Sequence, residues 1–138
     1  LVITNFNKFI SAEIWLSDYL SKSFWLGSVN TWFFMNKKNL RVLCHNDSVN
    51  NLHHVVFGKK TFFLAPPSAS LDKYVNQHFQ EGFNSFNPFK EVEKAKKIGK
   101  FLVLNKNDSL YIPNGWWHSV YYNEDTIAIS ALDEPTHI

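Results

Sequence analysis

The sequence has a single cysteine, no long apolar run and little net charge, and each of these scarcities excludes a class of protein. With Cys44 alone, no intrachain disulfide can form, which excludes a disulfide-stapled secreted domain. No uninterrupted apolar stretch approaches the roughly 20 residues that a membrane helix needs. The formal net charge of +2 is too small to indicate a nucleic-acid partner by electrostatics alone.

The amino-terminal residues also lack the features of a signal peptide. Leu1–Ile10 has no basic region followed by a long apolar stretch, so we expect an intracellular protein, cytoplasmic or nuclear. The chain starts without a methionine, as a fragment of a longer protein would. Its 138 residues fit one domain, which we expect to span residues 1–138.

Aromatic residues are abundant and favour a β-rich core. There are 13 Phe, 5 Trp and 5 Tyr, 17% of the chain. Short apolar runs between turn signals predict eight strands, at residues 31–35, 40–44, 52–57, 61–64, 101–104, 109–112, 116–122 and 126–132. We expect the first two to pair as a hairpin around residues 36–39, and the next two to pair around Gly58-Lys59.

Two helices are predicted beside these strands. Residues 11–22 have an apolar face at helical spacing. A second helix is expected from an Asn87-Pro88 start to a Gly99 end, with a charged face exposed to solvent. About eight short strands with few helices are typical of an all-β jelly roll of the cupin type, also called a double-stranded β-helix.

Two histidines and an aspartate form a candidate metal site. His45 and Asp47 are two residues apart, which on a strand places both side chains on one face. His118 is the strongest candidate for a third ligand. Two histidines and one carboxylate make the facial set of non-haem Fe(II) oxygenases, and this donor set suits Fe(II) or Mn(II) better than structural zinc. A polar surface pair at 45 and 47 and a packed core histidine at 118 are the alternatives.

Lys60 is predicted to face the interior, because strand alternation places it on the same side as Phe62 and Leu64. A buried lysine is costly unless an anion meets it, although a lysine at a strand end can also reach solvent. Asn51 and His53 share another strand face near the metal pair and could line the same cavity. A packed strand histidine is the alternative for His53.

Taken together, these motifs resemble the Jumonji C (cupin-like) hydroxylases, in particular their small hydroxylase branch. The resemblance runs from about Trp25 to about Leu132 and rests on these segments: Trp25-Leu26-Gly27, Cys44-His45-Asn46-Asp47-Ser48-Val49-Asn50-Asn51-Leu52, Gly58-Lys59-Lys60, Leu64-Ala65-Pro66-Pro67, Asp108-Ser109-Leu110-Tyr111-Ile112-Pro113 and Gly115-Trp116-Trp117-His118.

The resemblance implies roles for five residues. His45, Asp47 and His118 would bind Fe(II), as the catalytic centre. Lys60 would hold the distal carboxylate of 2-oxoglutarate, and Asn51 would line the site of this cosubstrate. The implied reaction couples oxidative decarboxylation of 2-oxoglutarate to succinate and CO₂ with hydroxylation of a C–H bond.

The chain departs from the family pattern at several positions. Val42 stands where the family usually has a threonine or serine that helps to bind the distal carboxylate. The last strand ends in Ala131-Leu132-Asp133 rather than in an asparagine followed by aromatics. These changes concern the cosubstrate pocket and leave the three metal ligands and Lys60 in place.

The leading hypothesis is hydroxylation of a protein side chain, with a protein or peptide as partner and no membrane. A lysine demethylase and a tRNA-base hydroxylase share this chemistry and stay open. The alternative from another class is a degenerate cupin-like interaction module without catalysis. The substrate is not identified by the sequence, and a homodimer stays open as the oligomeric state.

Overall fold

The computed structural model describes residues 2–3, 29–69, 71, 83–84 and 86–133. Within these ranges it has ten strands and one helix. The strands are β1 (Val2–Ile3), β2 (Val29–Asn36), β3 (Arg41–His45), β4 (Asn50–Phe57), β5 (Lys60–Ala65), β6 (Phe83–Asn84), β7 (Lys100–Leu104), β8 (Ser109–Ile112), β9 (Trp117–Tyr122) and β10 (Thr126–Asp133), and the helix is α1 (Val92–Ile98).

The strands form two five-stranded antiparallel sheets. The order is β1-β8-β4-β10-β2 in the first sheet and β6-β3-β9-β5-β7 in the second. This two-sheet arrangement confirms the predicted jelly roll. The eight strands predicted from sequence correspond to β2–β5 and β7–β10, with ends that differ by no more than two residues.

The two predicted hairpins are wrong, although their turns lie where expected. The chain reverses at Asn39, whose φ is 67°, and at Gly58, whose φ is 82°. However, β2 and β3 belong to different sheets, and so do β4 and β5. Turn residues predict where the chain reverses, but they do not predict which strand the following strand pairs with. In a jelly roll these reversals carry the chain from one sheet to the other.

Helix α1 is shorter than predicted. Asn87-Pro88 forms a turn before the helix, in which the Asn87 side-chain oxygen accepts a hydrogen bond from the Phe89 amide at 3.2 Å. The N-cap is Glu91, and Gly99 is the C-cap as expected. The predicted helix at residues 11–22 and the Trp25-Leu26-Gly27 motif lie outside the described residues. No helix in the described part of the chain is long and apolar enough to cross a bilayer.

Two apolar clusters hold the layers together. The cluster between the sheets contains Val55, Phe62, Leu64, Leu104, Leu110, Ile112, Val120 and Tyr122, and Val42 packs against it. The other cluster contains Cys44, Phe63, Ala65, Leu71, Phe86, Ala95 and Trp117. Because Ala95 is the buried residue of α1, this second cluster joins the helix to the outer face of the second sheet. Lys60 and His118 of the candidate site lie on β5 and β9, the two strands that also supply Phe62, Leu64, Val120 and Tyr122 to the inner cluster.

Candidate metal centre

The structure brings His45, Asp47 and His118 together at one end of the second sheet. His45 ends β3, and His118 lies directly opposite it on β9. Asp47 follows β3 in the adjoining loop. Its Oδ1 lies 3.8 Å from Nε2 of His45, and its Oδ2 lies 3.5 Å from Nε2 of His118. One ligand atom from each residue lies within 4.8 Å of the others. This spacing could hold one metal ion.

Local backbone features place these three side chains. The β3–β9 register shifts between Val42 and His45, which marks a β-bulge. Such irregularities re-aim side chains beside functional sites. The loop that carries Asp47 is fixed by its carbonyl oxygen, which accepts a hydrogen bond from the Gly115 amide at 2.8 Å. Gly115 has a φ of 76°, a conformation that favours glycine.

In both imidazoles Nδ1 is hydrogen-bonded to a backbone carbonyl, and Nε2 is the atom that lies near the Asp47 carboxylate. Nδ1–H of His45 donates to the Leu43 carbonyl at 2.7 Å, and Nδ1–H of His118 donates to the Trp116 carbonyl at 3.1 Å. Burial, together with the smaller effect of nearby His45, lowers the pKa of His118 to about 4. A neutral imidazole is the form that binds a metal ion. The residues therefore fit a divalent ion with two nitrogen donors and one carboxylate, such as Fe(II).

Lys60 lies inside the barrel and is only 1% exposed. Its ammonium lies 5.3 Å from the ring centre of Tyr122 and 5.7 Å from that of Phe62. Among the described residues, no carboxylate lies within salt-bridge distance of this ammonium. Burial accordingly lowers the pKa of Lys60 to about 7. A buried cation with aromatic walls is suited to an anionic ligand.

Asn51 and His53 also carry buried atoms without a hydrogen-bond partner in the described part of the chain, namely Oδ1 of Asn51 and Nε2 of His53. They follow each other on one face of β4, and the next residue on that face, Val55, belongs to the inner cluster. Burial lowers the pKa of His53 well below its ordinary value, with smaller contributions from the charges of Lys60 and His118. That Asn51, His53 and Lys60 line one cavity stays a prediction.

Sequence reasoning missed Ser130, whose Oγ lies 2.6 Å from Nδ1 of His53. Thr126, Ala128, Ser130 and Ala131 are buried in β10, whereas Ile127 is exposed. The buried positions of this strand therefore carry small side chains. The sequence pattern that could have indicated this is the alternation along β10, where small residues face the interior and the larger Ile127 faces outward.

Comparisons with known proteins agree with this architecture. A family model described as a cupin-like domain matches residues 7–131. The chain is 33% identical over 114 residues to Lysine-specific demethylase JMJ31 from Arabidopsis thaliana. It is 33% identical over 78 residues to Arginine-specific demethylase JMJ20 from the same plant, and 35% identical over 77 residues to JmjC domain-containing histone demethylation protein 1 from Caenorhabditis elegans. These matches cover 76%, 54% and 54% of the chain but 20%, 17% and 7% of the relatives.

The fold is also similar to a solved crystal structure of a conserved protein of unknown function from Streptococcus pyogenes. The TM-score is 0.52 at 9% identity, and the match covers 78% of this chain and 66% of that one. At this identity the likeness shows the fold alone. The family match over nearly the whole chain is the stronger finding, and the relatives share the JmjC name. The chain therefore belongs to the Jumonji C (cupin-like) family, whose members are oxygenases that use Fe(II) and 2-oxoglutarate.

Proposed function

We propose that residues 1–138 belong to a single catalytic domain of an Fe(II)- and 2-oxoglutarate-dependent oxygenase that acts on a protein side chain. The observation that carries this proposal is the pairing of two features in the second sheet. The side chains of His45, Asp47 and His118 converge at one end of this sheet. Lys60, which is buried and has no carboxylate partner among the described residues, lies on β5, next to the His118 strand β9. A degenerate interaction module would have no use for an uncompensated buried cation beside a metal site.

Each of these residues has a proposed task. His45 and His118 would hold the ion through Nε2, and Asp47 would hold it through a carboxylate oxygen. Lys60 pairs with the distal carboxylate of the cosubstrate, and Asn51 lines the same site. The iron centre, when bound, supplies the activation of O₂ that oxidises a substrate C–H bond. The apolar cluster around Lys60 excludes water and strengthens the ion pair with the cosubstrate.

The position of Asp47 indicates where the substrate enters. Its side chain is 38% exposed, whereas that of His118 is 6% exposed. The metal site therefore opens to solvent on the Asp47 side and is closed by the sheets on the other. A protein segment that reaches this opening can present one side chain to the metal. We place the substrate there, with Lys60 on the far side of the cosubstrate.

Two outcomes of the same chemistry are separable by product. Hydroxylation at carbon leaves a stable hydroxyl group on the side chain, which is our first candidate. The names of two relatives, a lysine-specific and an arginine-specific demethylase, favour an N-methyl group as a second candidate. Oxidation of an N-methyl group yields an unstable hydroxymethyl amine that releases formaldehyde. Names of relatives that refer to histone demethylation also favour a nuclear location.

The ligand assignment is tested by Mn(II) binding, followed by electron paramagnetic resonance. His45→Ala should weaken Mn(II) affinity at least about 10- to 100-fold, because one of three protein donors is lost. Asn46→Ala is the matched control, since Asn46 lies between the two ligands and is not one of them. Wild-type affinity in His45→Ala at unchanged circular dichroism would refute the assignment.

The reaction is tested by incubating the protein with Fe(II), ascorbate, 2-oxoglutarate and a library of histone-tail peptides. Succinate release with a product 16 mass units heavier indicates hydroxylation, whereas succinate with formaldehyde indicates demethylation. Metal and 2-oxoglutarate binding without any succinate, in folded protein, would refute catalysis and leave the binding module.

A further inference from the structure

His53 is a buried imidazole whose Nε2 has no hydrogen-bond partner among the described residues, and the proposed metal site does not use it. We propose that His53, oriented by Ser130, is a positioning residue that donates a hydrogen bond from Nε2 to the distal carboxylate of the 2-oxoacid held by Lys60. The proposal rests on the proposed function, because it concerns the cosubstrate of that same site. It assigns to this chain a second donor for the distal carboxylate.

The location of His53 carries the first step of the argument. Its ring packs edge-on against Phe62 at a centroid distance of 5.3 Å, and the Lys60 ammonium lies 5.7 Å from the same ring centre. His53 and Lys60 therefore border one another around a single aromatic side chain. Both side chains are nearly inaccessible to solvent, at 6% and 1% exposure. A ligand that pairs with the ammonium therefore lies beside the ring that the imidazole also contacts.

The second step concerns what a carboxylate needs in that space. A carboxylate has two oxygens and accepts several hydrogen bonds, whereas an ammonium is one compact charge. Val42 packs against the inner cluster and has no hydroxyl to donate. Phe62, Leu64 and Val120, which belong to the same cluster, have no side-chain hydrogen-bond donor either. Nε2 of His53 is a buried atom that lacks a partner, and an unmade hydrogen bond at a buried polar group is costly.

The third step concerns the tautomer of the His53 ring, which depends on its hydrogen bond with Ser130. Ser130 is fully buried and lies opposite His53 in the β4–β10 register. When its hydroxyl donates to Nδ1, across the 2.6 Å between them, the ring hydrogen sits on Nε2. A carboxylate accepts hydrogen bonds but donates none, so its arrival favours that tautomer. The imidazole then acts as a neutral donor and adds no second charge beside Lys60.

The test compares three variants by calorimetric titration of 2-oxoglutarate into the Mn(II)-loaded protein. His53→Phe removes the donor but keeps an aromatic ring, and should weaken 2-oxoglutarate binding about 10- to 30-fold. His53→Gln retains an amide donor and should recover most of this loss. Val42→Thr in the His53→Phe background should recover part of it, since a hydroxyl then enters the pocket. Mn(II) affinity should stay at the wild-type value in all three.

Steady-state kinetics distinguish a positioning role of His53 from a purely structural one. In His53→Phe the KM for 2-oxoglutarate should rise by the same factor while kcat changes less than about twofold. Wild-type 2-oxoglutarate affinity in folded His53→Phe would overturn the role of His53 and leave the proposed function standing. A wild-type protein that binds Mn(II) but no 2-oxoglutarate would overturn both.

If His53→Phe does not fold, the proposal can still be tested on the wild-type protein by NMR. With ¹⁵N-labelled histidine and Zn(II) as a diamagnetic metal, the Nε2 proton of His53 should move downfield when 2-oxoglutarate is added. Succinate, which shares the distal carboxylate, should produce a similar shift. An Nε2 signal that is insensitive to both ligands at saturation would overturn the proposal.

Discussion

Lys60→Met should remove a pH dependence of folding stability that Lys60 alone imposes on the ligand-free protein. Burial lowers the pKa of Lys60 from 10.5 to about 7, so between these values the unfolded chain holds a proton that the folded chain has lost. Stability of the wild type therefore rises with pH across this window. The linkage relation gives a penalty of about 4 kcal/mol at pH 7 and about 1.5 kcal/mol at pH 9.5, a gain of roughly 3 kcal/mol.

Urea unfolding at several pH values between 7 and 9.5 measures this gain, as the difference between wild type and Lys60→Met. The groups facing Lys60 should not titrate in the window, because burial lowers the pKa of His53 and His118 and raises that of Tyr122 to about 12. Lys59→Met, which alters the neighbouring lysine, should keep the wild-type slope. Saturating 2-oxoglutarate should flatten it, since an anion keeps Lys60 charged. Equal slopes in wild type and Lys60→Met would refute the reasoning.

Three further predictions concern the fold and the metal. Gly58→Ala should cost more than about 2 kcal/mol in urea unfolding, because φ is 82° and a Cβ would collide with the Asp125 carbonyl. Gly115→Ala has a similar φ, but its Cβ would make only an ordinary contact with Pro67, and it should cost about 1 kcal/mol. Phe63→Ala should cost about 3–5 kcal/mol in the same assay, because the ring is fully buried. Mn(II) at 100 times its Kd should stabilise the wild type by about 2.7 kcal/mol and raise its Tm, and His118→Ala should abolish this shift.

The strands were predictable because each is a short aromatic or β-branched run bounded by turn residues. Which strands pair with each other was not predictable from these local patterns. The turns at Asn39 and Gly58 gave the usual hairpin signals, yet the flanking strands belong to different sheets. Partner choice depends on which long-range contacts bury the inner faces, and that information is spread over the whole chain. The late start of α1 has a local cause, since Asn87 directs its side chain to its own turn rather than to a helix.

The clustering of His45, Asp47 and His118 was predictable because a His-x-Asp pair and a distant histidine are a short pattern with a definite chemical meaning. The buried polar contact between His53 and Ser130 was not predictable in this way. Whether His53 is a packed residue or a ligand contact depends on Ser130, which lies far away in the sequence and beside it in the sheet. The bulge after Val42 is another such case, because alternation along β3 assumes a regular strand.

The facing positions of His45 and His118 have a consequence for how the chain is held together. A single cysteine leaves this domain without a disulfide, but two ligands on neighbouring strands allow a coordination cross-link in its place. Such a link would join segments far apart along the chain and restrict the unfolded ensemble, much as a disulfide that closes a long loop does, by about 4 kcal/mol. Iron in this barrel would then act as a reversible staple, and chelation would loosen the same two strands that carry the chemistry.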